Sequence, residues 1–159
     1  MIHNKKYSVV AIGNAMLDLV CEVPEQFLKE EGISKGAMNL VSMERSNNIL
    51  KIVKPIKETA GGSAANTIST LAKLGLKTGY IGKIADDPKG KVFKKDLIDS
   101  SIFYNTKFLD ISNKEATGKC IVLITPDKER TMNTYLGATE FLTEIDIDEE
   151  LIAQSEWLY

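Results

Sequence analysis

Apolar residues recur along this chain with two different periods, and the alternation between those periods predicts its elements. Tyr7-Ser8-Val9-Val10-Ala11-Ile12-Gly13 is a short β-branched run closed by glycine, the pattern of a buried strand with a turn at its C-terminal end. Residues 19–23 predict an edge-like strand, residues 25–31 a helix, residues 37–41 a strand and residues 44–53 a second helix. Past Gly61-Gly62, Ile68, Leu71, Ala72 and Leu74 fall at helical spacing until Gly75 stops the helix, and residues 77–82 read as the next strand. Residues 89–98 bring Val92, Phe93, Leu97 and Ile98 to helical spacing, predicting a helix packed on the sheet. Strand and helix alternate, which argues for an α/β layered fold.

Two segments interrupt that alternation. Residues 118–125 and 130–136 are both strand-like and are separated by Pro126-Asp127-Lys128-Glu129, a turn composition, so they read as a β-hairpin outside the main sheet. A helix over residues 148–154 then leads into Glu156-Trp157-Leu158-Tyr159, which has the character of a strand just begun. That ending sets the expectation of a chain that is the first part of a longer protein.

Composition narrows the function classes. With 159 residues and 43% hydrophobic content the chain can bury a core as one domain. A net charge of −2, with both signs interspersed, leaves no basic footprint, which argues against a nucleic-acid partner and against a polybasic membrane anchor. Cys21 and Cys120 sit in apolar runs with no CxxC spacing and are expected as buried free thiols. His3 is the only histidine, so a His-based triad or zinc site is excluded. Val9–Ile12 is far too short for a signal or membrane segment, and a cytoplasmic location is expected.

The candidate chemistry centres on Thr59-Ala60-Gly61-Gly62-Ser63-Ala64-Ala65-Asn66-Thr67. Two glycines at the mouth of a helix let backbone approach a ligand, and the helix start directs unpaired N–H groups to the same space. The alternative at this point is a Gly-Gly turn required only for close packing. Asn14 and Asp18 lie just past the first strand, where open α/β sheets collect ligands, with Asp18 either a hydroxyl acceptor or the cap of a local turn.

Taken together, Gly13-Asn14-Ala15-Met16-Leu17-Asp18, the Gly61–Thr67 run, Leu74-Gly75, Gly82-Lys83-Ile84-Ala85-Asp86-Asp87-Pro88-Lys89-Gly90 and residues 125–138 resemble the PfkB (ribokinase-like) family of sugar and nucleoside kinases, most closely its adenosine-kinase branch. The resemblance runs in order over nearly the whole chain, which would be the N-terminal part of a single kinase domain. It implies a ribokinase-like α/β core with a small β-sheet lid built from strands near 19–23, 37–41, 118–125 and 130–136. It also implies ATP and Mg2+ for the full-length protein, a small-molecule nucleoside or sugar as substrate, and a possible homodimer through the lid strands. By the same resemblance Asp18 grips the sugar, Asn14 and Asn66 add amide contacts, and Gly61 and Gly62 supply backbone contacts and a hinge. Met132 and Leu136 form an apolar cover or ordinary lid core, and Arg130 meets phosphate on lid closure or remains an exposed hairpin arginine. The family's Gly-Ala-Gly-Asp turn, which carries the catalytic Asp, does not occur in these residues, and neither does a Walker loop or a Gly-x-Gly-x-x-Gly after the first strand. No catalytic base is therefore assigned, and the alternative function is a catalytically silent sugar-binding or interaction module.

Overall fold

The computed structural model describes residues 5–110, 112 and 114–159; His3 lies outside them. Four parallel strands make the first sheet: β1 (Tyr7–Ile12), β5 (Thr78–Ile81), β6 (Phe103–Tyr104) and β9 (Ser155–Leu158), in the order β6-β5-β1-β9. The second sheet is mixed and contains β2 (Met16–Glu22), β3 (Met38–Leu40), β4 (Lys57–Gly61), β7 (Gly118–Ile124) and β8 (Arg130–Tyr135), in the order β3-β8-β7-β2-β4. Helices α1 (Glu25–Glu30), α2 (Met43–Ile52), α3 (Ser63–Lys73), α4 (Pro88–Asp99) and α5 (Glu149–Ala153) connect them. Two short 3-10 segments, Gly137–Phe141 and Glu144–Asp146, complete the path.

The alternation of side chains along β2 explains how the two sheets share a core. Leu17, Leu19 and Cys21 point inward and join Ala11 of β1, Ile68 of α3, Phe93 and Leu97 of α4, and Ile121 and Leu123 of β7 in one buried cluster. Met16 and Val20 point the other way and pack with Cys120, Val122, Ile124, Met132 and Leu136. Asp18 shares the period of Met16 and Val20, so it belongs to this second face. Both cysteines are buried and free.

Several sequence expectations shift. The strand expected as edge-like at 19–23 begins at Met16 and lies inside the second sheet, between β4 and β7. The edges are instead β3 and β4, and β4 was not anticipated because Lys57-Glu58-Thr59-Ala60-Gly61 carries no apolar alternation. Leu74 caps the end of α3 and is 74% exposed, since it lies past the last turn that packs on the sheet. In α4 only Phe93 and Leu97, one turn apart, reach the core, while Val92 and Ile98 face solvent on either side of that stripe.

The start of α4 is a local anchor. Asp87 is its N-cap, accepting from Gly90 N at 2.7 Å, and the same carboxylate accepts from Thr117 N and Thr117 Oγ1, each at 2.8 Å. It thereby fixes the helix to the residue that precedes β7. Asp87→Ala removes the cap and leaves the Thr117 N–H without its acceptor, and should lower stability by about 1–2 kcal/mol in a urea melt, the usual size of a lost N-cap. A wild-type midpoint would show that the anchor carries no weight.

Candidate functional site

The outward face of the second sheet forms one wall of a cleft of about 450 Å³. Strand register sets the order of its side chains. Asp18 pairs with Cys120, Cys120 with Thr134 and Thr134 with Leu40, so one rung runs from a carboxylate to an apolar edge. The next rung is Val20, Val122, Met132 and Met38. Opposite these rungs the cleft is closed by Asn14, Gly62, Ser63 and Asn66, which come from the β1–β2 connection and the start of α3.

Nearly all the sequence-selected residues meet here. Asn14, Asp18, Gly62, Asn66, Arg130, Met132 and Leu136 line the cleft, and Gly61 lies directly behind Asp18. A Cβ on Gly61 would stand 2.2 Å from Asp18 Cγ, so the carboxylate occupies the space that any other residue would fill. Gly62 has φ +95, and a Cβ there would come within 2.3 Å of the Asn14 carbonyl oxygen. It is also the N-cap of α3, with no side chain capping the helix, so free first-turn N–H groups and the positive end of the helix dipole adjoin the cleft.

Asp18 lies mid-strand rather than on the turn after β1, which corrects the expected placement and removes the turn-capping alternative. Sitting on an otherwise apolar strand face, its carboxyl is pushed above the usual range by burial; the hydrogen bond from Asn66 and the positive charge of Arg130 oppose that shift. The Cys120 thiol is likewise raised by burial, with a partly offsetting hydrogen bond donated by Thr134 Oγ1 at 3.4 Å. Arg130 is exposed at the start of β8, and its guanidinium is available to an anion.

Sequence reasoning did not single out Met16, Leu40, Ser63, Cys120, Val122 or Thr134, which line the cleft together with Met38. Met16 could have been found by counting in twos from Asp18, and Ser63 follows Gly62 directly. The others depend on strand register, which no local pattern displays. A larger hollow of about 740 Å³, lined by Leu142, Thr143, Glu144, Ile145 and Ile147, brings together one carboxylate and no other charged side chain. The cleft at Asp18, with converging amides, a carboxylate, a guanidinium and helix N–H groups, is the candidate site. Its chemistry is that of holding a polyhydroxylated ligand: one carboxylate can accept from two neighbouring hydroxyls, while the amides both donate and accept.

A layered α/β core joined to a second sheet over a carboxylate-floored cleft is the ribokinase-like arrangement. The chain belongs to the pfkB family of carbohydrate kinases, whose match covers residues 6–159. It is 26% identical over 162 residues to a 5-dehydro-2-deoxygluconokinase of Bacillus licheniformis, covering 97% of this chain and 41% of that protein. Among solved structures it is similar to the adenosine kinase from Sinorhizobium meliloti, with a TM-score of 0.89, 40% identity and coverage of 97% of this chain and 46% of that one. A probable sugar kinase from Rhizobium etli CFN 42 gives a TM-score of 0.90 at 35% identity, with coverage of 98% and 46%. The chain thus spans somewhat less than half the length of these relatives. None of its helices is long and apolar enough to cross a membrane, among the described residues.

Proposed function

We propose that this chain supplies the substrate-binding part of an ATP-dependent kinase that phosphorylates the hydroxymethyl group of a nucleoside, adenosine-like, or of a ribose-like sugar. The observation that carries the reading is Asp18: a half-buried carboxylate on an apolar strand face, backed by a glycine that leaves room for it and flanked by Asn14 and Asn66. Burying a carboxylate there is unfavourable for folding alone, and a ligand offering hydroxyl donors is what offsets it. The other half of the cleft favours the nucleoside. Met38, Leu40, Val122, Met132 and Leu136 present an apolar surface that a small sugar would leave uncovered and a base would cover.

In this reading the second sheet is a lid, the Gly61-Gly62 turn is its hinge, and Arg130 meets phosphate oxygens when the lid closes. ATP and Mg2+ are the phosphate donor and metal of the whole enzyme. The described residues include no group of three or more His, Cys, Asp or Glu that could hold a metal, so no step through the metal is assigned to them. The outer edge of β3 is where a second copy would pair if the lid strands form a homodimer, since α4 already lies along the outer edge of β4, and a cytoplasmic location goes with the proposed use of ATP.

Isothermal titration of the chain with adenosine and with ribose tests this reading. Adenosine should bind at least about tenfold more tightly than ribose, a difference of about 1.4 kcal/mol from the apolar wall. Equal affinities would sink the nucleoside assignment, and no binding of either would sink the site. These residues alone should show no ATP-dependent phosphoryl transfer, because the Gly-Ala-Gly-Asp turn is not among them. Substrate-dependent turnover would place a nucleotide site within them. Binding without turnover also fits the silent binding module; joining these residues to a segment that carries the missing turn separates the two, since only the kinase reading predicts phosphorylated product.

A further inference from the structure

Asp96 of α4 has no part in the cleft, yet its carboxylate reaches the edge of the second sheet. Ala60 of β4 pairs with Leu17 of β2, and its N–H points away from β2 into the Asp96 carboxylate, donating to Oδ2 at 2.8 Å. About two turns earlier on the same helix, Lys89 Nζ lies 3.6 Å from Glu58 Oε2, also on β4. The helix that makes these contacts is fixed by Phe93 and Leu97 in the core and by Asp87 on Thr117. Ala60 is followed at once by Gly61, which backs Asp18, and by Gly62, which backs Asn14. A strand at the edge of a sheet has only one neighbour to hold it, so its outer N–H groups are where an added contact fixes its position.

We propose that Asp96 is a positioning residue for the ligand site: by holding the Ala60 N–H it keeps the Gly61-Gly62 backbone against the Asp18 carboxylate and the Asn14 carbonyl. The α4 helix then grips both chain crossings that flank the cleft-bearing sheet, Thr117 before β7 through Asp87 and Ala60 before the glycines through Asp96. Loss of the Asp96 contact lets the end of β4 drift from β2 and opens the back of Asp18 to water. The site's function as a hydroxyl-ligand cleft is taken from the reading above; the geometry of the contact is independent of it.

The test compares Asp96→Ala with Asp96→Asn, which retains an oxygen acceptor for the Ala60 N–H. Three quantities are measured: the adenosine dissociation constant, the hydrogen-exchange rate of the Ala60 amide, and the Asp18 carboxyl titration by carbon-detected NMR. In Asp96→Ala, adenosine affinity should fall about tenfold, the size expected from one lost charge-assisted contact. Ala60 should exchange faster, and the Asp18 carboxyl should titrate closer to the ordinary carboxylate range as water reaches it. Asp96→Asn should stay within about threefold of wild type in affinity. A merely structural role would raise exchange and leave both Asp18 and affinity unchanged, and that result overturns the proposal. If adenosine does not bind even the wild-type chain, the functional reading fails while the Asp18 titration still decides the positioning role. Should Asp96→Ala not fold, Asp96→Ser, too short to reach Ala60, replaces it with the same three outcomes.

Discussion

Gly61→Ala should abolish measurable ligand binding while leaving most of the fold in place. The added methyl would sit 2.2 Å from Asp18 Cγ and 2.3 Å and 2.4 Å from its two oxygens, closer than any tolerated contact. Two relaxations are open: the carboxylate rotates out of the cleft, or β4 peels away from β2. Either one separates Asp18 from its Asn66 side-chain partner and from the rest of the cleft. The expected loss of adenosine affinity is at least about 100-fold, or about 2.8 kcal/mol, accompanied by a stability loss of about 1–3 kcal/mol from overpacking. Titration calorimetry and urea melts read the two effects separately. The double substitution Gly61→Ala with Asp18→Gly gives a sharper check, because the clash needs both side chains. If overlap with the carboxylate is the cause, the double variant should be more stable than the sum of the single effects allows. Additive losses, or wild-type affinity in Gly61→Ala, would show that the carboxylate does not depend on the glycine behind it.

Much of this site was legible because its parts lie within short stretches of chain. The Gly61-Gly62 pair announces both a positive φ and the unobstructed approach of a neighbour, and the structure shows each requirement in turn. Asp18 was found by its company, Gly13 and Asn14 upstream, although its element was misread. The apolar run Met16-Leu17-Asp18-Leu19-Val20 is a strand with a charge in its middle, and a charge inside a strand is locally indistinguishable from a charge that ends a turn. Only pairing on both sides, with β4 and β7, settles which it is. Strand β4 escaped for the opposite reason. Its residues carry little apolar pattern because it is an edge strand, tied to α4 by Asp96 and Lys89 rather than by burial. The apolar wall of Met38 and Leu40 was hidden by register: a three-residue strand has no period to read, and its parallel pairing with β8 joins residues almost a hundred positions apart. Local chemistry is thus written in the sequence, whereas which side chains share a rung is set by tertiary pairing.

The same carboxylate makes the final prediction, a gain of stability from a loss of function. Asp18 has its carboxyl raised by burial despite the Asn66 hydrogen bond and the Arg130 charge, so the folded state holds the proton more tightly than the unfolded chain does. Between the unfolded value, near 3.8, and the raised folded value the native state binds more protons, and stability therefore falls as pH rises through that window. Above it the full cost of the buried charge persists. Asp18→Asn removes the charge with little change of shape. At pH 7 the ligand-free variant should be more stable than wild type, and the difference should shrink on acidification and vanish below the unfolded value, as urea melts across pH would record. Adenosine affinity should move the other way, falling about 10–100-fold, because an amide is a weaker acceptor for paired hydroxyls and one of its two ends can only donate. A wild-type chain more stable than Asp18→Asn at neutral pH would mean that Asn66 and Arg130 already compensate the charge, and the raised carboxyl would lose its standing as a group held in reserve for a ligand. Saturating adenosine offers the complementary reading: it should stabilise wild type by about 1.4–2.7 kcal/mol more than Asp18→Asn by mass action, so the order of the two melting midpoints should reverse when the ligand is added.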